Sequence, residues 1–298
     1  MTTVLVAGAG GLGCPAALAL AEGGVDHLVL VDDDRVDLSN LPRQVLYTTA
    51  DVGRPKLDVA AERLRAIAPA LALTLVPGRV TAANVDALLE GVDLALDATD
   101  DPTARFVLND AALAHRIPAV LGGLHRFDGL VLAVGPGFGP CFRCLFEEPP
   151  GADEVPTCAQ TGVLGPIAGA VGHLQARHAL ALLAGDLVGP TGYATTFDGR
   201  TGRVRRVPLP EATGCPACGG LGARLDIRAD SCPMTYVRTK LALEALPPGG
   251  VLDVVMRRGE PARNVPRSLR EDGHAVLAQG PIDDGTFRVV VARGPEGG

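Results

Sequence analysis

The stretch TVLVAGAGGLG at residues 3–13 places a short apolar run directly before a glycine-rich loop. The apolar run is predicted to be a buried strand, and the loop to open a helix. Glycine lets the backbone approach phosphate oxygens, and a helix N-terminus supplies aligned N–H donors and partial positive charge. The glycines that carry this prediction are Gly8, Gly10, Gly11 and Gly13.

Asp32 follows the second apolar run of the chain, at the end of another predicted strand. A carboxylate about twenty residues beyond such a loop accepts hydrogen bonds from both ribose hydroxyls of a nucleotide. The loop and Asp32 together predict a nucleotide site. They do not distinguish ATP from NAD.

The order of apolar and helix-like segments predicts the fold class. Predicted strands at residues 4–7, 28–31, 73–76, 92–96 and 119–121 alternate with helices that begin near Pro55, Thr81 and Pro102. This order indicates an α/β fold with a Rossmann-like, doubly wound and mostly parallel sheet. A long helix ending at Gly185 and strands at 193–197 and 204–207 follow.

A second unit is predicted after the Gly-Gly pair at 219–220, where strand, helix, strand, helix and two closing strands follow one another. This order predicts a small two-layer α/β sandwich. We therefore expect two domains, residues 1–219 and residues 220–298.

Composition excludes several classes of protein. The net charge is -7, which argues against a nucleic-acid partner, and the tight basic group at Arg203, Arg205 and Arg206 is interpreted as a solvated strand edge. The apolar stretch 163–183 is interrupted by His173, Gln175, Arg177 and His178, so it predicts a buried helix and no membrane span. The absence of a secretory signal and the cysteine pattern favour a cytoplasmic protein.

Four further segments distinguish ATP from NAD: DDD at 32–34, LSNLPRQ at 38–44, VGRPK at 52–56 and LDATD at 96–100. With the glycine loop, they resemble the ThiF, MoeB and HesA proteins, the bacterial form of the ubiquitin-activating superfamily. The resemblance covers residues 3–219. It implies that Gly11 approaches the triphosphate and Asp32 holds the ribose. It also implies that Arg43 and Lys56 bind phosphates beside Ser39 and Asn40, and that Asp100 holds Mg²⁺ beside Asp101.

Two departures from the family pattern keep alternatives open. Asp101 stands where the family usually has asparagine, and the first strand follows Met1 directly, without the family's N-terminal arginine helix. The second departure supports an alternative function, a non-catalytic adaptor that docks a carrier without activating it. An NAD-dependent oxidoreductase is a further alternative, supported by the glycine loop and Asp32 alone.

Two Cys-x-x-Cys pairs, Cys141 with Cys144 and Cys215 with Cys218, predict a metal site. Each pair sets two thiolates at the spacing that tetrahedral Zn²⁺ takes, and two pairs complete a closed structural site. Two redox pairs or buried cysteines are the alternative. The ThiF and MoeB proteins carry matching pairs, so the resemblance implies zinc.

Two other cysteines are candidates for sulfur chemistry. Cys158 lies in a predicted loop, where a family cysteine serves some members as acyl acceptor or persulfide carrier. Cys232 stands directly before a helix that begins with Pro233, a place that lowers a cysteine pKa, and Arg238 and Lys240 are expected to add positive potential.

The segment 225–293 resembles the TusA sulfur-relay proteins, with the Cys-Pro signature at 232–233 and Thr235 where many members have a second proline. This resemblance implies a persulfide on Cys232.

The two resemblances together predict ATP-dependent adenylation of the C-terminal Gly-Gly carboxylate of a ubiquitin-like sulfur-carrier protein, followed by formation of a thiocarboxylate. The expected partners are that carrier, a sulfur donor such as a cysteine desulfurase or rhodanese, and a second copy of the chain in a homodimer. Thiamine, molybdopterin, cysteine and siderophore pathways remain open. The chain's own final Gly-Gly is interpreted as coincidence.

Overall fold

Two β-sheets form the framework of the protein. The computed structural model describes residues 1–136, 140–150, 162–209, 215–218, 222–231 and 233–295. Within these residues, the larger sheet has eight strands in the order β3-β2-β1-β4-β5-β6-β7-β8. They are β1 Thr3–Ala7, β2 His27–Asp32, β3 Ala72–Pro77, β4 Leu94–Asp97, β5 Ala119–His125, β6 Asp128–Val134, β7 Tyr193–Asp198 and β8 Arg203–Pro208.

Strands β1 to β5 are parallel and confirm the predicted doubly wound α/β sheet. Strands β1 and β4 are buried along their whole length, as expected of central strands covered by helices on both faces. The strand order reverses beside β1, because β2 lies on one side of it and β4 on the other. Loops at the C-terminal ends of β1, β2 and β4 therefore surround one crevice, the usual ligand site of such sheets.

Strand β6 is absent from the sequence prediction. It pairs antiparallel with β5 through a tight turn at Arg126 and Phe127, and Arg126 has a φ of 54°. Neither residue is a typical turn former, so the sequence carries no hairpin signal there. Strand β8 is exposed along its length, which agrees with the interpretation of its arginines as a solvated edge.

The described helices of the first unit cover both faces of the larger sheet. Helix α6 packs against α1 on one face, and α3 and α4 lie on the other. The bounds are α1 Gly13–Glu22, α2 Lys56–Ile67, α3 Val85–Leu88, α4 Pro102–Ala114, α5 Phe142–Leu145 and α6 Gly165–Leu183. Helix α3 is shorter than the predicted helix at 81–89, because Thr81 binds the Asn84 side chain through both its N–H and its hydroxyl and forms a separate turn.

The smaller sheet has four strands in the order β11-β12-β10-β9, with β9 parallel to β10 and the other pairs antiparallel. Two helices pack on one face of it, which confirms the predicted second α/β sandwich. Its elements are β9 Gly222–Asp226, α7 Met234–Glu244, β10 Val251–Arg257, α8 Glu260–Glu271, β11 Ala275–Pro281 and β12 Thr286–Ala292.

The other face of the smaller sheet packs against the first unit. Val251 and Val290 of that face belong to the same buried cluster as Leu187, which lies just beyond α6. Among the described helices, none is both long enough and apolar enough to cross a membrane.

Candidate active site

The glycine loop between β1 and α1 has two structural and two open positions. Gly8 has a φ of 94°, and a Cβ there would lie 2.8 Å from the Ala98 carbonyl oxygen. A Cβ on Gly13 would lie 1.8 Å from the Gly8 carbonyl oxygen, so both positions require glycine. Gly10 and Gly11 instead border Gln44 and Arg43 without a clash. The loop therefore presents Gly10 and Gly11, with the N-terminus of α1, to the crevice.

Asp32 fixes the glycine loop to the end of β2. Its carboxylate accepts hydrogen bonds from the Ala9 N–H at 2.7 Å and the Asp34 N–H at 2.8 Å. Asp32 is partly exposed, so oxygen lone pairs remain for further donors. Asp32 thus lies beside the glycine loop, and its role in ribose binding stays a prediction.

Three adjacent carboxylates meet at the end of β2, with their oxygen atoms within 4.8 Å of one another. Two cations compensate this charge. Lys56 Nζ lies 2.7 Å from Asp34, and Arg79 Nε lies 2.9 and 3.1 Å from the two oxygens of Asp33. Lys56 is 3% exposed, so its ammonium is a fixed charge at the crevice.

The motif at 38–44 folds into a short 3₁₀ turn, Leu38–Asn40, that positions Arg43. Arg43 donates to the Asn40 side-chain oxygen at 2.5 Å and to the Ser39 carbonyl at 3.2 Å. The Ser39 hydroxyl donates to Asp37. Asn40 therefore orients the guanidinium, and Ser39 holds the turn. A Cβ at Gly11 would lie 3.4 Å from Arg43, so the guanidinium stem borders the open part of the loop.

Asp100 and Asp101 follow β4 and differ in their surroundings. Asp100 is exposed, whereas the Asp101 carboxylate accepts the Thr103 N–H at 2.8 Å and caps α4. Asp100 contributes to the raised pKa of Arg79, after the larger effect of the bound Asp33 carboxylate. The exposed Asp100 is thus the carboxylate available to a cation. Asp101 already has a structural partner.

A buried network behind Asp100 was missed by sequence reasoning. Arg105 Nε lies 2.5 Å from the buried Asp97 carboxylate and donates through Nη2 to the Thr99 carbonyl. Gln175 of α6 donates to the Asp97 carbonyl at 2.6 Å. The side-chain amide of Gln175 occupies the space that a Cβ on Gly122 would need. These groups fix the Asp97–Asp100 turn. The sequence signal was Asp97 at a strand end, followed by an arginine in the next helix.

Beneath the loop, Cys14 is fully buried beside Tyr47, whose hydroxyl donates to the Ala9 carbonyl at 2.8 Å. Burial raises the pKa of Cys14 to about 12 and also raises the pKa of Tyr47. Cys14 is therefore a neutral packing residue. Because a thiolate is the reactive form of cysteine, it is no candidate nucleophile.

The four cysteines of the two Cys-x-x-Cys pairs converge on one point. Their sulfur atoms lie within 4.8 Å of one another, and three of the sulfur pairs are 3.5 to 3.9 Å apart. Zn–S bonds of about 2.3 Å in a tetrahedron separate sulfurs by about 3.8 Å, so the cluster fits zinc. Hydrogen bonds with neighbouring cysteines lower the pKa of Cys144 to about 4 and raise the pKa of Cys218.

Cys158 and Cys232 lie outside the residues that the structure describes. The two basic residues expected to support Cys232 are engaged. Arg238 forms an ion pair with Asp230, and Lys240 Nζ lies 2.9 Å from Asp272. The expected contribution of Arg238 and Lys240 to positive potential is thus offset by neighbouring carboxylates, because each is already paired.

Comparisons with known proteins agree with this geometry. The ThiF family profile matches residues 1–217, and the profile of the sulfurtransferase TusA matches residues 223–293. A sulfur carrier protein adenylyltransferase of Thermus thermophilus is 40% identical over 73% of this chain and 82% of its own length. The sulfur carrier protein ThiS adenylyltransferase of Escherichia coli is 41% identical over 74% of this chain and 87% of its own length.

Solved structures show the same fold. The structure of E. coli MccB with ATP superimposes with a TM-score of 0.61 at 19% identity, covering 73% of this chain and 67% of MccB. The PaaA structure has a TM-score of 0.57 at 24% identity, covering 70% of this chain and 64% of PaaA. These likenesses concern the fold alone. The profile match over residues 1–217 shows that the chain belongs to the ThiF family, with a TusA segment at its C-terminal end.

Proposed function

We propose that the chain uses ATP to adenylate the C-terminal Gly-Gly carboxylate of a ubiquitin-like sulfur-carrier protein and then helps convert it to a thiocarboxylate. The observation that carries the proposal is one crevice at which an open glycine loop, the partly exposed Asp32 carboxylate and the held cations Lys56 and Arg43 lie together. Relatives named as sulfur carrier adenylyltransferases support it, as do relatives named adenylyltransferase and sulfurtransferase MOCS3, such as the one of Culex quinquefasciatus. The chain spans about half the length of the MOCS3 relatives.

The adenylation step joins two anions, so charge neutralisation decides its rate. The carrier carboxylate attacks the α-phosphorus of ATP, the bond to the β-phosphate oxygen breaks, and pyrophosphate leaves. Lys56 is a fixed cation, and Arg43 is oriented by Asn40. Placed charges of this kind stabilise the transition state without reorganisation. Gly10 and Gly11 allow close approach of the phosphates, and Asp32 binds the ribose.

Asp100 is the residue proposed to hold Mg²⁺. It is exposed beside the crevice and its backbone turn is fixed by Asp97 and Arg105. A bound Mg²⁺ neutralises phosphate charge and orients the triphosphate. The four-cysteine cluster is proposed to hold Zn²⁺, which would fix the turn at α5 to residues 215–218.

The sulfur step is proposed to use a persulfide on Cys232, directly or through Cys158. The terminal sulfur of the persulfide attacks the acyl carbon, the bond to the AMP oxygen breaks, and an acyl disulfide forms. A low-molecular-weight thiol then attacks the Cys232 sulfur, which releases the carrier thiocarboxylate and leaves a mixed disulfide. A second thiol restores the Cys232 thiol, and a cysteine desulfurase or rhodanese supplies the next sulfane sulfur.

Intact-mass measurement of a Gly-Gly carrier from the same genome tests the proposal. After incubation with Mg-ATP, a cysteine desulfurase and L-cysteine, the carrier should gain the mass difference of sulfur for oxygen. Omission of ATP should abolish the gain. An unchanged carrier mass with every component present would contradict the proposal.

A non-catalytic adaptor, which binds the carrier without activating it, is the second candidate. Under that alternative, the chain binds the carrier but exchanges no labelled pyrophosphate into ATP. Carrier-dependent pyrophosphate exchange that is lost in Asp100→Ala supports the proposed adenylation activity over the adaptor. The NAD-dependent alternative predicts NAD binding without such exchange.

A further inference from the structure

Strand β10 of the second unit, which consists of the smaller sheet with helices α7 and α8, is buried on both of its faces. Residues 251–256 are all buried. Alternate side chains of a strand point to opposite faces, and the face that carries Leu252 packs in the core beneath the two helices. The opposite face needs a cover of its own. The first unit supplies it, because Val251 and Val290 lie in one buried cluster with Leu187.

Two charged residues lie within this apolar contact. Arg288 is 0% exposed and Asp253 is 3% exposed. The Asp253 carboxylate accepts hydrogen bonds from Nε of Arg288 at 2.7 Å and from Nη2 at 2.9 Å. Both residues belong to the second unit, so their charges cancel within it. A guanidinium has five N–H donors, and the two bonds to Asp253 leave the others for further acceptors.

The first unit provides these acceptors in the loop at residues 186–192, here called the receptor loop. Nη1 of Arg288 donates to the carbonyl oxygens of Leu187, Val188 and Thr191 at 3.2, 2.8 and 2.6 Å. Nη2 donates to the Thr191 hydroxyl at 3.0 Å. The three loop residues are at most 9% exposed. Without Arg288, their buried carbonyl groups would lose a charged donor, which is costly away from water.

The receptor loop is held in shape by hydrogen bonds within the first unit. The Asp186 carboxylate accepts the N–H groups of Val188 and Gly189 at 3.0 and 2.8 Å. The Thr191 hydroxyl donates to the Leu187 carbonyl at 2.7 Å. These bonds turn the carbonyl groups toward one point. The loop therefore presents a set of converging acceptors that suits a guanidinium.

Gly192 allows Arg288 to approach the receptor loop closely. Its φ is 80°, and a Cβ there would lie 3.0 Å from Nη2 of Arg288 and 3.5 Å from a carboxylate oxygen of Asp253. Its carbonyl also accepts a hydrogen bond from Arg224 of β9 at 3.4 Å. The Arg224 guanidinium lies 5.7 Å from the centroid of the Tyr193 ring. A second arginine of the second unit thus contacts the same segment of the first.

We propose that the receptor loop is a binding site for the guanidinium of Arg288 and keeps the second unit docked on the first throughout the reaction. Undocking would expose Leu187, Val251 and Val290 and uncover a buried ion pair, so it is opposed. The helix-free face of the smaller sheet is thereby closed to other proteins. A protein partner of the second unit then binds beside α7 and α8 or at an edge of the sheet. The docking is independent of the proposed function, and its persistence during turnover rests on that function.

Cleavage of the connection between the two units tests the docking. A specific protease site inserted between Gly219 and Gly220 allows the folded, full-length chain to be cut after purification. The two pieces should elute together in gel filtration at micromolar concentration, because the buried contacts hold them without a covalent link. Separate elution of the wild-type pieces would overturn the inference.

A double variant tests whether Arg288 carries the docking. Arg288→Met combined with Asp253→Leu removes the guanidinium without leaving an unpaired buried charge. The dissociation constant of the cleaved pieces should rise at least about tenfold, because the carbonyl groups of the receptor loop lose their donor. Arg257→Ala, at an exposed position of β10, is the control and should leave the dissociation constant unchanged.

Gly192→Ala tests the same contact from the first unit and leaves the second unit unaltered. The added Cβ presses on Arg288, so the dissociation constant of the cleaved pieces should rise several-fold. Gly202→Ala is the matched control: Gly202 has a φ of 69°, but a Cβ there meets no atom of the described residues within 4 Å. It introduces similar backbone strain and should leave docking unchanged. Equal weakening by both variants would show that the contact with Arg288 does not determine docking, and the inference would be wrong.

Addition of the reaction partners separates this inference from the proposed function. The cleaved wild-type pieces should stay together when Mg-ATP, a Gly-Gly carrier, a cysteine desulfurase and L-cysteine are added. If these additions separate the pieces, the docked state is not kept and the inference is wrong. If the pieces stay together but the uncut chain forms no thiocarboxylate, the proposed function fails and the docking stands.

Discussion

Lys56 and Asp34 form an asymmetric ion pair at the crevice: the Lys56 side chain is 4% exposed, the Asp34 side chain 54%. The ammonium therefore has little access to water, while the carboxylate remains largely solvated. Removal of Lys56 leaves no buried charge behind, because water can solvate Asp34. Loss of activity in a Lys56 variant would then report on chemistry rather than folding.

We expect Lys56→Gln to lower carrier-dependent pyrophosphate exchange by about 10²–10³-fold, the usual cost of removing one placed charge or donor at a reacting oxyanion. Asp34→Asn leaves the Lys56 side chain in place and should change exchange by less than about tenfold. Exchange rates at saturating Mg-ATP provide the measurement, with circular dichroism as the folding control. Equal losses in the two variants would contradict the assigned role of Lys56.

Asp100 and Asp101 offer a matched pair of adjacent carboxylates. Asp100→Asn should abolish Mg-dependent exchange, because its exposed carboxylate is the proposed ion ligand. Asp101→Ala removes the cap of α4 and should lower the free energy of unfolding by about 1 kcal/mol. Asp101→Ser restores a capping oxygen and should recover that stability while exchange persists.

Titration of exchange against Mg²⁺ and urea unfolding of the three variants check both expectations. If Asp101→Ser loses pyrophosphate exchange while Asp100→Asn remains active, Asp101 and not Asp100 holds the Mg²⁺ ion.

Local patterns predicted much of this protein. Apolar runs of strand length, interrupted by Gly8–Gly13 and by Pro102, give the order of strands and helices because each signal acts within a few residues. The two Cys-x-x-Cys pairs likewise predict the four-cysteine cluster, because each pair has the spacing of two metal ligands. The relation of Asp32 to the glycine loop follows from the switch in strand order beside β1.

Contacts between residues far apart in the chain could not be predicted from such local patterns. Gln175 binds the Asp97 carbonyl across 78 residues of sequence, and no periodicity relates the two positions. Among Asp32, Asp33 and Asp34, the sequence does not say which one pairs with Lys56, because the choice depends on how β2 ends. Arg288 of β12 donates to the carbonyls of Leu187, Val188 and Thr191 in the loop after α6, and this contact depends on the shapes of two complete domains.

The four-cysteine cluster predicts a measurable metal dependence of stability. Cys141 and Cys215 are 74 residues apart. A cross-link that closes such a loop lowers the entropy of the unfolded chain and so stabilises the folded protein by about 4 kcal/mol. We expect one zinc ion per chain by elemental analysis, and a lower melting temperature after Cys215→Ser or chelation. Cys14→Ala is the control, because this buried cysteine lies outside the cluster and should retain zinc. Full zinc content in Cys215→Ser would contradict the assignment.

His178 on α6 predicts a pH dependence of stability. Burial, with Arg177 and Arg206 nearby, lowers its pKa from 6.5 to about 4, against a smaller opposing effect of Asp186. Its ring bonds to the Thr195 hydroxyl at 3.1 Å. Between pH 6.5 and 4 the unfolded chain binds a proton that the folded protein does not, so stability falls as the pH is lowered through this window.

The lowered pKa of His178 contributes at most roughly 3 kcal/mol to the unfolding free energy. This contribution is fully present above pH 6.5 and is lost as the pH falls toward 4. His178→Gln should therefore reduce the difference in unfolding free energy between pH 7.5 and pH 5, measured by urea denaturation of the zinc-bound protein. His115→Gln is the matched control: His115 is 40% exposed and contacts the solvated Asp86, so loss of this surface contact should change the unfolding free energy by less than about 1 kcal/mol. If His178→Gln retains the full pH difference of the wild-type chain, the titration belongs to other groups.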